Sequence, residues 1–304
     1  MKLINRLRNL ISSINKIANQ AINLEHQKLM MGRLLSENTK TKKYIDSLSE
    51  VEFKVFSQFG DDGIIQWLVN NLEFPNKTFI EFGVEDYRES NTRFLMMNDN
   101  WSGLVMDGSE SNIARIINSE YFWRHELFAK AVFIDSENIN ALLSLPQFDR
   151  EIGILHIDLD GNDYWIWKGI NVISPIVVVL EYNSIFGIDK AITIPYDRDF
   201  FRTNEHYSNL YFGASLRALY QVSAEKGYAF IGCNSAGNNA YFVRKDKLNN
   251  IVRETSLENG YVVARFRESR DKAGNLTCLA GNDRIAAIRG MPVYNIDTNQ
   301  IEKL

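Results

Sequence analysis

The chain has 304 residues, 45% hydrophobic and 24% charged, which is ordinary for a soluble globular protein with one large core and an accessory segment, or two small domains. A net charge of −4 argues against generic nucleic-acid binding. Cys233 and Cys278 are the only cysteines, with no CxxC, so a disulfide framework and a cysteine metal knot are excluded and a reducing compartment is expected.

The charge is uneven along the chain. Residues 1–50 hold nine basic and four acidic side chains, leaving 25 basic and 34 acidic in the remainder. Leu3, Leu7, Leu10, Ile14, Ile17, Ala21 and Leu24 follow alternating spacings of four and three, an apolar helical seam interrupted at Lys28. A helix that short is marginal alone and must pack on something. A homodimer through these heptads, docking on its own body, or membrane-surface contact through residues 1–30 would each serve. The start is too polar and basic for a signal peptide, and no apolar run reaches the ~18 residues needed to span a bilayer. The expected location is cytoplasmic. Residues 1–50 are read as a helical extension and linker, with the polar stretch 36–50 as the linker itself.

From Val51 the pattern changes. Ile64, Ile65, Trp67, Leu68 and Leu72 have helical spacing, ended by Pro75-Asn76. Apolar runs of strand length then follow at 78–82, 103–106, 131–134, 153–157 and 176–180. Helix-like stretches at 91–98, 112–118, 139–145 and 164–170 lie between them. This alternation predicts an α/β, doubly wound, mostly parallel sheet with helices on both faces. Runs at 228–231 and 240–243, separated by Gly237-Asn238-Asn239, predict an antiparallel hairpin closing the sheet. The main domain is thus placed at 51–245. Residues 246–304 are read as an extension packed on it, with turns at Gly274-Asn275 and Gly281-Asn282.

Acids gather where these strands end. Glu81-Phe82-Gly83-Val84-Glu85 closes the first strand, and Met106-Asp107-Gly108-Ser109 closes the second about 25 residues later. A glycine there lets backbone approach a ligand, and a carboxylate ending the second strand can accept hydrogen bonds from ribose hydroxyls. The loop lacks GxGxxG, and acids at 85 and 86 would repel a pyrophosphate, so a dinucleotide is disfavoured. The fourth strand leads into Asp158-Leu159-Asp160 and the fifth into Glu181-Tyr182-Asn183. Residues 156, 158 and 160 share one side of an extended strand. Asp158, Asp160, Glu181 and Asn183 would then form a set of hard oxygen ligands suited to Mg²⁺. General-base work without metal, or helix capping alone, are equally open readings of the same acids.

The motifs Phe79-Ile80-Glu81-Phe82-Gly83, Glu89-Ser90-Asn91-Thr92, Trp101-Ser102-Gly103-Leu104-Val105-Met106-Asp107 and the Asp158 strand resemble class I S-adenosylmethionine-dependent methyltransferases, within them the FkbM-like group. The resemblance covers about residues 55–245. It implies that Glu81 and Gly83 border the methionine moiety, that Asp107 binds the ribose with Ser109 beside it, and that Asp135 and Ser136 flank the adenine. The loop departs from the family in having one glycine, with Asp86 and Tyr87 to be accommodated.

The resemblance further implies methyl transfer from S-adenosylmethionine to a hydroxyl of a sugar or glycan precursor, of capsule or lipopolysaccharide type. Asp158, Asp160 and Glu181 would manage the acceptor. The aromatic, charged segment 193–215 would cover it, with His206 a candidate general base. Ser57 to Gly63 is read as a lid or an N-cap turn, and His156 as a buried neighbour. Two rivals stand beside this reading. One is a non-catalytic partner in surface-polysaccharide assembly; the other is a metal-dependent glycosyltransferase using Asp158-Leu159-Asp160 on a nucleotide sugar.

Overall fold

A computed structural model describes residues 2–144 and 151–304; the side chains of residues 2–15 and 17–22 lie outside that description. The elements in order are α1 (Lys2–Thr41), α2 (Asp61–Asn71), β1 (Thr78–Phe82), α3 (Arg93–Asp99), β2 (Ser102–Asp107), α4 (Glu110–Ile117), α5 (Glu120–Arg124), β3 (Leu127–Ala131) and α6 (Ile139–Leu143). They continue with β4 (Ile154–Ile157), α7 (Asp163–Gly169), β5 (Val177–Glu181), β6 (Ile192–Thr193), α8 (Arg202–Glu205), α9 (Leu216–Glu225), β7 (Tyr228–Cys233) and β8 (Asn239–Arg244). The remainder forms α10 (Leu257–Gly260), α11 (Asn282–Ala287), β9 (Pro292–Asn295) and β10 (Gln300–Lys303).

Seven strands form one sheet in the order β3-β2-β1-β4-β5-β8-β7. β1 to β5 pair in parallel, and β8 runs antiparallel to both β5 and β7. This is a doubly wound, Rossmann-like sheet closed by an antiparallel hairpin. The chain builds outward from β1 in one direction, then returns to its other side with β4. That reversal opens a crevice beyond the carboxyl ends of β1 and β4, where ligands of open α/β sheets bind.

Each sheet face is sealed by its own apolar layer. Ile80, Leu155, Val178 and Phe242 pack beneath α7 and α9 on one side. Phe79, Ile154, Val177 and Tyr241 pack with Ile64, Trp67 and Leu68 of α2 on the other. Strands buried on both faces read as continuous apolar runs, which is why β4 and β5 were legible.

Three expectations need correction. The third strand lies at Leu127–Ala131 rather than at 131–134. It is the sheet edge and only Leu127 of it is buried, so it needs no continuous apolar run. The helix α1 passes through Lys28 and continues to Thr41, so residues 36–41 are helical. The polar tail contributes β9 and β10, which join β6 in a second, three-stranded sheet over Ile194, Phe212 and Ile288.

The carboxyl-terminal part of α1 docks on the body. Gly32 lies so close to Val55 and Phe94 that a Cβ would stand 2.5 Å from the Val55 side chain. The Ser36 hydroxyl bonds to Gln66 at 2.5 Å, and Glu25 pairs with Arg93 at 2.8 Å. The side chains of the seam Leu3 to Ala21 fall outside the described residues. Among the described residues, no helix is long and apolar enough to cross a membrane.

Candidate active site

The loop after β1 achieves with one glycine what usually takes several. Gly83, Glu85 and Tyr87 all have positive φ, at 70°, 46° and 62°. For the two non-glycine residues this conformation costs about 1–2 kcal/mol each. Tyr87 offsets its share by burying the whole ring against Tyr121 and bonding its hydroxyl to Thr92 at 2.9 Å. Glu85 donates its N–H to the Asp107 carboxylate at 2.8 Å, tying the loop to the end of β2. Gly83 is required by the fold itself: a Cβ there would stand 1.7 Å from the Asp158 carbonyl oxygen. The glycine therefore lets the β1 loop pass over the end of β4.

Glu81 turns inward. One carboxylate oxygen accepts from the Asn91 N–H and from His156 Nδ1, both at 2.9 Å. The other accepts from the Ser90 hydroxyl, the Thr92 hydroxyl and the Thr92 N–H. Burial pushes its pKa up, but His156 and the Thr92 and Ser90 hydroxyls outweigh that and hold it below the ordinary value. Burial pulls His156 down, and Glu81 reverses that, leaving the imidazole raised. His156 Nε2 stands 3.2 Å from the Asn91 amide. Glu89-Ser90-Asn91-Thr92 is thus the segment that satisfies Glu81. That carboxylate is a positioning group, fully engaged within the protein.

The expected nucleoside side is more open. Asp107 accepts from Ser109 N–H at 2.8 Å and from the Asn112 amide at 3.3 Å, besides Glu85. Ser109 caps α4 through the Asn112 N–H. A Cβ on Gly108 would lie 3.5 Å from the Phe133 ring, which is 45% exposed, so a partly exposed aromatic ring lies beside the residue that follows Asp107. Asp135 is buried, receives the Glu137 and Asn138 N–H groups, and pairs with Arg198 at 3.1 Å. Ser136 is exposed and donates its N–H to the Tyr196 hydroxyl at 3.1 Å.

At the ends of β4 and β5 the acids converge. Ligand oxygens of Asp158, Asp160 and Glu181 all lie within 4.8 Å of one another. Burial, then the Asp160 charge, pushes Asp158 up to about 7. Burial and the charges of Asp158 and Asp160 push Glu181 well above its ordinary value. Glu181 Oε2 is buried and has no hydrogen-bond partner. Asp160 sits at φ 55° and pairs with Arg202 at 2.6 Å. Arg202 in turn donates from Nε to the Asn209 carbonyl and lies 3.7 Å over the Phe212 ring. One guanidinium faces three carboxyl groups. Burial and then the charges of Asp107, Asp86 and Asp160 raise Glu85, so the loop and this cluster form one acidic basin.

Two predicted participants are engaged elsewhere. Asn183 donates to the Leu210 and Phe212 carbonyls and accepts from the Ile185 N–H, so its carboxamide is engaged at both ends within the protein. His206 bonds to the Ser208 hydroxyl at 2.7 Å and stacks on Tyr207. Burial and Lys272 lower its pKa. Segment 57–63 is a clamp. The Asp62 carboxylate collects the N–H groups of Val55, Phe56 and Ser57, and Asp61 receives Asn234, Asn239 and Tyr241 from the closing hairpin.

Sequence reasoning missed Arg202 as the counter-ion and Phe133 as the exposed ring. Both lie in stretches it had marked, the 193–215 segment and the apolar run at 131–134.

No family model matches the chain, and no curated protein matches it. Among solved structures, it is similar to the N-terminal domain of EvdMO1 with SAH bound. The identity is 11% over 55% of this chain and 72% of that one, with a TM-score of 0.33. It is also similar to an S-adenosylmethionine-dependent methyltransferase from Clostridium acetobutylicum, at 12% identity over 60% and 89% of the two chains, TM-score 0.36. TehB from Haemophilus influenzae gives 12% identity over 61% and 62%, TM-score 0.36. Overlap at this level leaves the site to be read from the chain's own geometry.

Proposed function

We propose that the chain is an S-adenosylmethionine-dependent O-methyltransferase of the FkbM-like group, acting on a hydroxyl of a sugar or glycan precursor of capsule or lipopolysaccharide type. The observation that carries this reading is the single acidic basin at the switch point, running from Asp107 through Glu85 to Asp158, Asp160 and Glu181. A cationic sulfonium is favoured there, and a pyrophosphate is repelled. Asp107 and the partly exposed ring of Phe133 offer hydrogen-bond acceptors and a stacking face to a nucleoside.

S-adenosylmethionine supplies an electrophilic methyl group on sulfur. Asp107 holds the ribose hydroxyls, while Glu81 keeps the 90–92 segment and His156 in place beneath the loop. Without a cation, Asp158, whose carboxyl is pushed up to about 7, would take the acceptor proton as the methyl group passes from sulfur to the hydroxyl oxygen. Arg202 and the aromatic residues of 193–215 shape the acceptor side. The orphaned Glu181 Oε2 and an all-oxygen donor set fit a divalent cation held by Asp158, Asp160 and Glu181. Mg²⁺ bound there would replace that role, holding Asp158 ionised as a ligand and lowering the pKa of the accepting hydroxyl.

The test is transfer of a labelled methyl group to a panel of mono- and oligosaccharides, with and without Mg²⁺. Incorporation into a sugar hydroxyl, lost in Asp158→Asn, supports the reading. Release of sugar from a nucleotide sugar, with no methyl transfer, would replace it with glycosyl transfer.

A further inference from the structure

We propose that Asn239 supplies a fourth oxygen to a divalent-cation site completed by Asp158, Asp160 and Glu181. The proposal rests on the cation reading above and moves the neutral ligand from Asn183 to the closing hairpin. Asn239 opens β8, and its Cα is the register partner of Glu181 in the antiparallel ladder. Side chains of such partners lie on one face of the sheet, about 5 Å apart at Cβ.

The orientation of the Asn239 amide is fixed. Its Nδ2 donates to Asp61 Oδ1 at 3.0 Å, and a reversed amide would set two acceptor oxygens against each other. That leaves Oδ1 as the free atom, and it is buried without a hydrogen-bond partner, as is Glu181 Oε2. The two residues are only 3% and 7% exposed. With Glu181 ionised both oxygens accept only, so either a proton on Glu181 or a cation must stand between them. Buried acceptors left unmet are destabilising unless a donor or a cation reaches them.

A cation would displace the protons that Glu181 and Asp158 hold without it, and Arg202, paired with Asp160, offsets only one of the three carboxylates so formed. Carboxylate and carboxamide oxygens select a hard ion such as Mg²⁺ or Mn²⁺. The Asn183 oxygen already accepts from the Ile185 N–H, whereas Asn239 Oδ1 has no partner. The Asp61 bond would hold the Asn239 oxygen in place, as outer partners of metal ligands do.

The experiment is Mn²⁺ binding to the full-length, chelator-stripped chain, read as free Mn²⁺ by electron paramagnetic resonance. Wild type is compared with Asn239→Ala, Asn239→Ser and Asn183→Ser. Serine keeps a donor for Asp61, so it holds the fold if alanine does not, and a cooperative melt confirms each variant. The expected result is one saturable site, weakened about tenfold or more in both Asn239 variants and unchanged in Asn183→Ser. A wild-type site that the Asn239 changes leave intact, or that Asn183→Ser weakens instead, overturns this assignment and leaves the cation reading standing. No saturable Mn²⁺ site in wild type overturns both. S-adenosylhomocysteine binding by the same preparation then shows whether the methyl-donor reading survives.

Discussion

Glu81 and Glu181 are both buried glutamates near the carboxyl ends of central strands, and the structure treats them oppositely. Glu81 receives five hydrogen bonds and is held below its ordinary pKa. Glu181 keeps an oxygen with no partner and is driven well above it. Burial of an acid is therefore no sign of function in itself. What separates anchor from site is whether the surrounding backbone and hydroxyls already satisfy the charge.

Substitution should break this pair apart. Glu81→Ala removes the acceptor for Ser90, Asn91, Thr92 and His156 together, and should cost about 3–5 kcal/mol in denaturant unfolding. Glu181→Gln should leave stability unchanged or slightly raised, since it removes a poorly solvated charge, while abolishing activity and cation binding. Equal destabilisation by the two changes would erase the distinction.

Gly83→Ala comes next. Its Cβ meets the Asp158 carbonyl at φ 70°, so a loss of more than about 2 kcal/mol is expected, with weaker S-adenosylhomocysteine binding as the two strand ends separate. A thermal melt matching wild type would show that the β1 loop and β4 do not cross as described.

Asp62 sharpens the comparison through pH. Burial raises its pKa from 3.8 to about 6, against the opposing bonds from Val55 and Ser57, and its Oδ1 has no partner. Because the folded pKa is the higher one, its contribution is fully present below about 3.8 and is lost as pH rises through about 6. At ~1.36 kcal/mol per unit, that is roughly 3 kcal/mol. Unfolding free energies measured at pH 5 and pH 8 should differ less in Asp62→Asn than in wild type; an unchanged difference would contradict the assignment. The smallest effect is expected for Tyr87→Phe. Losing the bond to Thr92 should cost about 1 kcal/mol and leave the loop in place, as judged by S-adenosylhomocysteine affinity.

Where the sequence was legible, the physics was local or strongly periodic. β1, β4 and β5 are sealed on both faces and read as apolar runs, and the acids at their ends mark the crevice. The edge strand β3 needs little burial and was misplaced by four residues. β9 pairs with β10 on one side and, on the other, with two-residue β6 from a distant stretch, a contact that no local pattern announces. The acids were found, but their roles depended on side-chain direction. Glu81 and Glu181 look alike in sequence, and only the neighbours brought by the 90–92 segment and by β8 tell them apart. The glycine-poor loop is the clearest such case: its left-handed turns fall on Glu85 and Tyr87, and burial of the Tyr87 ring, supplied by tertiary packing, makes that affordable.

The central claim is that the acidic crevice receives a sulfonium nucleoside. Calorimetric titration of the purified chain with S-adenosylmethionine and S-adenosylhomocysteine, at low and high salt, tests it most directly, alongside Asp107→Ala. The account predicts saturable binding of both that the variant loses. The charged sulfonium should bind more tightly than the neutral thioether, and the gap should narrow as salt screens the basin. Absence of heat and of any thermal shift with both ligands, or binding of a nucleotide sugar in their place, would contradict it.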